Sequence, residues 1–197
     1  EHEGPIYPLS CAHRRAGEAD RIEGSYAWRY RCLEGEWSFI DGYLGPQSCQ
    51  VSAELGDCVV AKKEGNPAYQ LAVVVDDHAM QITEVVRGDD LLASTFRQLQ
   101  LYSTFGWSPP KFYHVPLVVG PDGKRLAKRH GDSRLAYYRE RNVPPQRILG
   151  LLAYSIGLQP DCRECSAEEL IHSFRWDRLH RQVCWNFTSS HESWLLG

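Results

Sequence analysis

A short basic segment carries the residue types best suited to phosphate chemistry. It follows an apolar run and a Pro-Asp-Gly turn, and its four cations are Lys124, Arg125, Lys128 and Arg129. Open α/β sheets bind anionic ligands at the carboxyl ends of their strands. Ammonium and guanidinium groups at such a position can neutralise charge that develops on a triphosphate during transfer. A solvated basic loop is the alternative interpretation, because runs of charge are common on protein surfaces.

A second candidate site combines Tyr69 with Arg87. Arg87 ends one predicted strand and Tyr69 begins another, so neighbouring strands would bring both side chains into one pocket. An arginine there can bind a carboxylate through two parallel hydrogen bonds, and each charge-assisted bond is worth about 1.5–3 kcal/mol. The alternative is an ordinary ion pair between Arg87 and a nearby aspartate, for which the candidates are Asp76, Asp77, Asp89 and Asp90.

Cysteine and histidine residues could bind a metal, but their spacing is a weak signal. The segment Tyr7-Pro8-Leu9-Ser10-Cys11 has His2 and His13 nearby but contains a single cysteine, which by itself favours a structural role. Cys162 and Cys165 have the CxxC spacing without a second such pair, so we interpret them as incidental. With no secretory signal visible, the seven cysteines of the sequence indicate reduced, buried thiols rather than a disulfide framework.

The composition is that of a globular protein of one domain, with room for a small appendage. The 197 residues are 43% hydrophobic and 24% charged, with a net charge of −3 and a pI of about 6.3. A non-specific nucleic-acid binder would be strongly basic, so that class is disfavoured, whereas a local basic face remains compatible with an RNA substrate. No window reaches the roughly 18 apolar residues that a membrane span needs. We therefore expect a cytoplasmic protein with no membrane partner.

Strands and helices must position these residues, and the sequence predicts an alternation of the two. Alternating apolar residues and Val-rich runs predict strands at 25–32, 37–42, 57–60, 68–75, 82–86 and 113–119. The segment 37–42 is predicted to be the partner of the first strand. A helix is predicted from Asp89 to Gly106, capped by Ser94 or Thr95 and closed by Gly106. Strand, helix and strand in this order predict a parallel α/β unit with a right-handed crossover.

The last third of the sequence is predicted to be helical. Pro144 and Pro145 precede an apolar helix face, and Ser166 with Glu169 forms a predicted capping box for a further helix. Periodicity is lost beyond Arg181.

Three segments together resemble the glutamyl-type class I aminoacyl-tRNA synthetases in order and spacing. They are Tyr69–His78, Ile82–Leu92 and Arg125–Arg129. The last resembles the KMSKS loop of that family, with Arg125 in place of the first lysine and Ala127 in place of the serine.

Two further segments look more like the glutamyl-Q tRNA(Asp) synthetase branch. These are the Asp-Leu-Leu-x-Ser-Thr pattern at Asp90–Thr95 and the Tyr-x-x-x-Cys pattern at Tyr7 and Cys11. The second resembles half of a Cys-x-Cys…Tyr-x-x-x-Cys zinc site. The Cys-x-Cys half and the HIGH motif are absent from the sequence, which suggests truncation at the N-terminus. By this resemblance, Tyr7 and Cys11 would bind Zn²⁺ only together with the missing cysteines.

The resemblance implies the fold and its division. The fold class is α/β, the C-terminal half of a Rossmann-like class I synthetase catalytic domain with a helical C-terminal part. Residues 1–24 would be the remnant of a zinc-binding insertion, 25–132 the α/β half-domain ending in the KMSKS-like loop, and 133–197 the helical part.

The resemblance also implies a two-step reaction of a monomeric enzyme. Glutamate would react with ATP and Mg²⁺ to give glutamyl-adenylate, and the acyl group would pass to queuosine of tRNA(Asp) or, alternatively, to tRNA(Glu). The implied catalytic residues are Lys128 and Arg129, the ATP contacts Lys128, Arg125 and Ala127, and the glutamate contacts Tyr69 and Arg87. The chain alone would be inactive without the HIGH half. A non-catalytic RNA-binding relic and a generic nucleotidyltransferase are the remaining alternatives.

Overall fold

The structure, a computed structural model, describes residues 15–17, 26–126, 134–182 and 184–197. The chain divides into two compact units, Glu1–His114 and Val115–Gly197. The predicted domain limits at residues 24 and 132 rest on the family resemblance and stay predictions.

The described residues of the first unit include two antiparallel strand pairs. Its elements are β1 (Ala27–Tyr30), β2 (Trp37–Asp41), β3 (Gly45–Cys49), the short helix α1 (Val51–Glu54) and β4 (Cys58–Lys62). β1 pairs with β4, and β2 pairs with β3. The prediction that 37–42 is the partner of the first strand is therefore wrong. The Asp41 carboxylate accepts hydrogen bonds from the backbone N–H groups of Tyr43 and Leu44, and this tight turn folds the chain back onto β2.

The prediction of a buried strand at 68–75 is also wrong, because these residues begin a helix. Helix α2 spans Tyr69–Ala79. Val74 is 1% exposed and packs in one cluster with Leu101 and Tyr102 of the following helix. A short apolar run does not distinguish a strand from a buried helix segment by its period. Here packing of one helical face outweighs the preference of valine for strands.

The predicted order of strand, helix and strand is confirmed, whereas the parallel pairing and the right-handed crossover stay predictions. The unit consists of β5 (Glu84–Gly88), a 3₁₀ turn (Asp89–Leu91), α3 (Leu92–Phe105) and β6 (Lys111–Val115). β5 and β6 are neighbours in one sheet. Gly106 closes α3 in the left-handed conformation, with φ +68°, as predicted. The prediction that Ser94 or Thr95 caps the helix is wrong, because the 3₁₀ turn leads directly into α3 and Leu91 occupies the N-cap.

The second unit contains four helices and one parallel strand pair among its described residues. Its elements are β7 (Leu117–Val119), α4 (Leu135–Glu140), α5 (Pro145–Ser155), α6 (Ala167–Ser173), a 3₁₀ turn (Trp176–Arg178), β8 (Cys184–Asn186) and α7 (Ser189–Leu196). The single strand predicted at 113–119 is divided into β6 and β7 by Pro116, which has no N–H to donate to a ladder. β7 pairs in parallel with β8. β8 lies beyond Arg181, where the sequence shows no hydrophobic periodicity.

The helical prediction for the last third is confirmed in its main elements. The capping box of Ser166 and Glu169 is present, with both reciprocal hydrogen bonds. Tyr138, Val143, Leu151 and Leu195 form the buried core of this unit. None of the described helices has the length and apolar character needed to cross a membrane.

Candidate functional site

The guanidinium of Arg87 is held in one orientation by side chains of α3 and β6. Arg87 lies in β5, one residue before the strand ends at Gly88. Its Nε donates to Nε2 of His114 at 3.1 Å, and its Nη2 donates to Oγ1 of Thr95 at 2.5 Å and Oε1 of Gln98 at 2.9 Å. The ring of Phe112 lies 5.2 Å from the guanidinium carbon. These three bonds use Nε and Nη2 and fix the plane of the group.

Tyr69 is brought to the same place by the first turn of α2. It is the first residue of the helix and is 52% exposed, and its side chain hydrogen-bonds with Arg87. Burial lowers the pKa of Arg87, whereas Tyr69 and then the charges of Asp77 and Asp41 act in the opposite direction. The guanidinium stays protonated, because its ordinary pKa lies far above neutral. The site therefore presents a cation and a phenol next to each other.

A buried, hydrogen-bonded pair of side chains, His114 and Asp41, lies directly behind Arg87. His114 is 0% and Asp41 2% exposed, and Nδ1 of His114 lies 2.6 Å from Oδ2 of Asp41. Burial by itself raises the pKa of Asp41, but hydrogen bonds from Leu44, His114 and Tyr43 outweigh it, and the pKa lies below its usual value. The pKa of His114 is lowered, first by burial and further by the charge of Arg87, against the opposing effect of Asp41.

A directional chain of amides leads from Arg87 to the start of α2. Because Arg87 can only donate, the oxygen of Gln98 faces it, and Nε2 of Gln98 then donates to Oε1 of Gln70 at 2.9 Å. Nε2 of Gln70 donates in turn to Oγ of Ser94 at 2.9 Å. Gln70 follows Tyr69 in the sequence, so this chain ties the position of the phenol to that of the guanidinium.

The sequence interpretation missed the residues that support Arg87. Asp41, His114, Thr95 and Gln98 are polar residues that lie buried within predicted strands and helices. A buried polar side chain needs a partner, so a histidine within an apolar strand was the available signal.

The other predicted site residues fall elsewhere or outside the described residues. Lys128, Arg129 and Ala127 lie outside them, and so do the proposed zinc ligands Tyr7 and Cys11. Arg125 is among the described residues and belongs to the second unit. Its backbone forms an isolated antiparallel β-bridge with that of Val119. The Pro-Asp-Gly turn before it is confirmed, since Gly123 has φ +71° and its N–H donates to the carbonyl of Gly120.

The described part of the chain contains no group of three or more His, Cys, Asp or Glu side chains placed to hold a metal ion. Cys162 and Cys165 are both free thiols, and Cys165 is buried next to Gln159.

Comparison with known proteins decides the family. Residues 13–190 match the profile of the family described as tRNA synthetases class I (E and Q), catalytic domain. The chain belongs to this family. Among curated relatives of this synthetase family, the glutamyl-Q tRNA(Asp) synthetase of Rhodopirellula baltica is 44% identical over 193 residues. That of Symbiobacterium thermophilum is 45% identical over 185 residues, and glutamate–tRNA ligase 2 of Syntrophus aciditrophicus is 38% identical over 178.

The chain spans only part of these relatives. The matches to the two glutamyl-Q synthetases cover 91% of this chain but only 59% and 56% of those proteins. The match to the ligase covers 88% of this chain and 36% of the ligase. A crystal structure of a glutamate tRNA ligase from Elizabethkingia meningosepticum in complex with its amino acid superposes with a TM-score of 0.77 at 25% identity. That superposition covers 96% of this chain and 43% of the other. The predicted family and the Rossmann-like synthetase fold are confirmed, while the roles of the individual site residues stay predictions.

Proposed function

We propose that this chain contains the glutamate-binding part of an aminoacyl-tRNA synthetase that activates glutamate with ATP and transfers it to tRNA. The arrangement of Arg87 and Tyr69 carries the proposal. A guanidinium with a fixed plane and an adjacent phenol is the geometry that binds a carboxylate by charge-assisted hydrogen bonds. A positive charge at this point also disfavours cationic amino acids.

The favoured acceptor is the queuosine base of tRNA(Asp). The relatives in Rhodopirellula baltica and Symbiobacterium thermophilum support it, because they are named for this tRNA and are 44% and 45% identical to the chain. The 3′ end of tRNA(Glu) is the second candidate, supported by glutamate–tRNA ligases of which that of Syntrophus aciditrophicus is 38% identical.

In the first step, a carboxylate oxygen of glutamate attacks the α-phosphorus of ATP. The new O–P bond forms as the bond to the bridging oxygen breaks, and pyrophosphate leaves with the electron pair. Lys128 and Arg129 would stabilise the charge on this leaving group, with Arg125 and Ala127 as further contacts to ATP. Mg²⁺ bound to ATP would neutralise part of the triphosphate charge. Zn²⁺ would bind at Tyr7 and Cys11 only together with a Cys-x-Cys pair.

Glutamate-dependent exchange of labelled pyrophosphate into ATP tests the first step. The full-length gene product should catalyse exchange with glutamate, measured with and without tRNA, and not with lysine. A non-catalytic RNA-binding protein would show no exchange under either condition, and exchange without any amino acid would instead indicate a generic nucleotidyltransferase.

Transfer of labelled glutamate then separates the two acceptors. We expect label on tRNA(Asp) that contains queuosine and none on the same tRNA isolated from cells that lack the modified base. Label on tRNA(Glu) alone would refute the queuosine assignment while leaving glutamate activation intact.

A further inference from the structure

We propose that Asp41 and His114 are positioning residues of the carboxylate site, and that a neutral His114 ring aligns the Arg87 guanidinium through its Nε2 lone pair. This inference rests on the proposed function, since the ligand of Arg87 is taken to be glutamate.

The Asp41 carboxylate is itself fixed by several donors. Oδ1 accepts from the N–H groups of Tyr43 and Leu44 at 2.9 and 2.8 Å. Oδ2 accepts from the backbone N–H of His114 at 3.1 Å as well as from the ring. One carboxylate thus joins the turn after β2 to the backbone and the ring of a residue in β6. With both side chains fully buried, the imidazole ring has a single orientation.

The hydrogen-bond pattern defines the protonation state of this ring. Arg87 has only donors, so the atom that faces its Nε, which is Nε2 of His114, must carry a lone pair. The hydroxyl of Thr95 lies 2.9 Å from the same nitrogen and must then donate to it rather than accept from it. The other nitrogen, 2.6 Å from a carboxylate oxygen, must then carry the proton. A protonated ring would place a second cation and an N–H group against Arg87. Burial, followed by the charge of Arg87, lowers the pKa of His114, which agrees with the neutral form.

The consequence for a ligand is geometric. The Nε bond to His114 and the Nη2 bonds to Thr95 and Gln98 hold the plane of the guanidinium in one orientation. The remaining edge and the Tyr69 hydroxyl can then meet a carboxylate without reordering, and such preorganisation lowers the cost of binding. Removing the acceptor at Nε2 would leave the guanidinium held through Nη2 alone, so its orientation would be less strictly fixed while the charge of Arg87 stays in place.

Two substitutions of His114 separate positioning from folding. In His114→Asn the amide can still reach Asp41 but is too short to accept from Arg87. In His114→Gln the longer side chain can place an amide oxygen near the position of Nε2. Both lose the ring, so both should lower the melting temperature.

The readout is the steady-state KM for glutamate in pyrophosphate exchange by the full-length protein, with each variant confirmed as folded by circular dichroism. We expect His114→Asn to raise this KM by about tenfold or more and to change kcat much less. His114→Gln should recover a KM at least about fivefold below that of the asparagine variant. Equal KM values in the two variants, or equal losses of kcat without a KM change, would overturn the positioning role.

A second measurement does not depend on activity. Nitrogen-15 NMR of histidine-labelled protein, with the His114 signals assigned by their loss in His114→Gln, should show a proton on Nδ1 and none on Nε2 at neutral pH. An imidazolium or the opposite tautomer would overturn the inference. Failure of the proposed function is distinguishable, because wild-type protein would then show no glutamate-dependent exchange while the NMR result stands by itself.

Discussion

Replacing Arg87 by lysine keeps the positive charge of the candidate site but removes the geometry that we consider decisive. Lysine carries one ammonium nitrogen on a flexible stem, whereas arginine presents donors from a rigid plane. In the structure, Nε and Nη2 of Arg87 serve three side-chain acceptors, on His114, Thr95 and Gln98. A single nitrogen cannot occupy both donor positions and also meet a ligand carboxylate with two parallel bonds.

The expected loss follows from the number of bonds that lysine cannot reproduce. We take one charge-assisted bond to the ligand as lost, which costs about 1.5–3 kcal/mol. At about 1.4 kcal/mol for each factor of ten, the KM for glutamate should rise about 10- to 150-fold. Arg87→Ala removes the charge as well and should raise this KM by about tenfold at the least, and by more than the lysine variant does.

Pyrophosphate exchange at a series of glutamate concentrations measures this change in the full-length protein. Arg139→Lys is the matched control, because Arg139 is exposed on α4, and it should leave the KM unchanged. If Arg87→Lys binds glutamate within about threefold of the wild type, charge alone is sufficient and the argument from the fixed guanidinium plane is wrong.

Three further changes test other parts of the molecule. Burial, and then the charge of Arg87, lowers the pKa of His114 in the folded protein. Below about pH 6.5 the unfolded chain therefore binds a proton that the folded chain does not. As the pH is lowered from there to the pKa of the folded state, the free energy of unfolding decreases. Urea unfolding between about pH 7 and pH 5.5 should therefore show a larger loss for the wild type than for His114→Gln, and equal losses would contradict the assignment. Lys128→Ala should lower kcat for adenylate formation by about 100-fold or more, roughly 2.7 kcal/mol, with a smaller change in the KM for ATP, since the cation acts on charge that develops in the transition state. A collapse of ATP affinity at an unchanged single-turnover rate would make this lysine a ground-state contact instead. Gly150→Ala would place a methyl group against the backbone carbonyl of Arg163 and should cost about 1–3 kcal/mol in denaturant unfolding, whereas Gly17→Ala, where an added methyl meets nothing within 4 Å, should cost little.

Helix α2 illustrates where prediction from the sequence fails and why. The pairing of Tyr69 with Arg87 was predicted on the assumption that Tyr69 begins a strand, and the structure places it at the start of a helix instead. The two side chains still meet, because the amides of Gln70 and Gln98 tie the first turn of α2 to α3. The pairing thus depends on tertiary contacts that a local pattern does not contain.

Strong local signals, by contrast, were sufficient for several elements. The glycine at the end of α3, the capping box of Ser166 and the proline that opens α5 each satisfy a backbone requirement within one turn of chain. Such requirements are met by neighbours in the sequence, so the residues that meet them can be recognised without the fold.

The sequence by itself determined the family, the strand–helix–strand unit around Arg87 and the candidate ligand contacts Tyr69 and Arg87, since motif order, helix closure and residue type are local properties. Only the tertiary structure decided that Asp41, 73 positions before His114 in the chain, fixes the ring that orients Arg87. The physical reason is that a buried polar side chain takes its role from the partner it finds, and that partner is set by how distant segments pack.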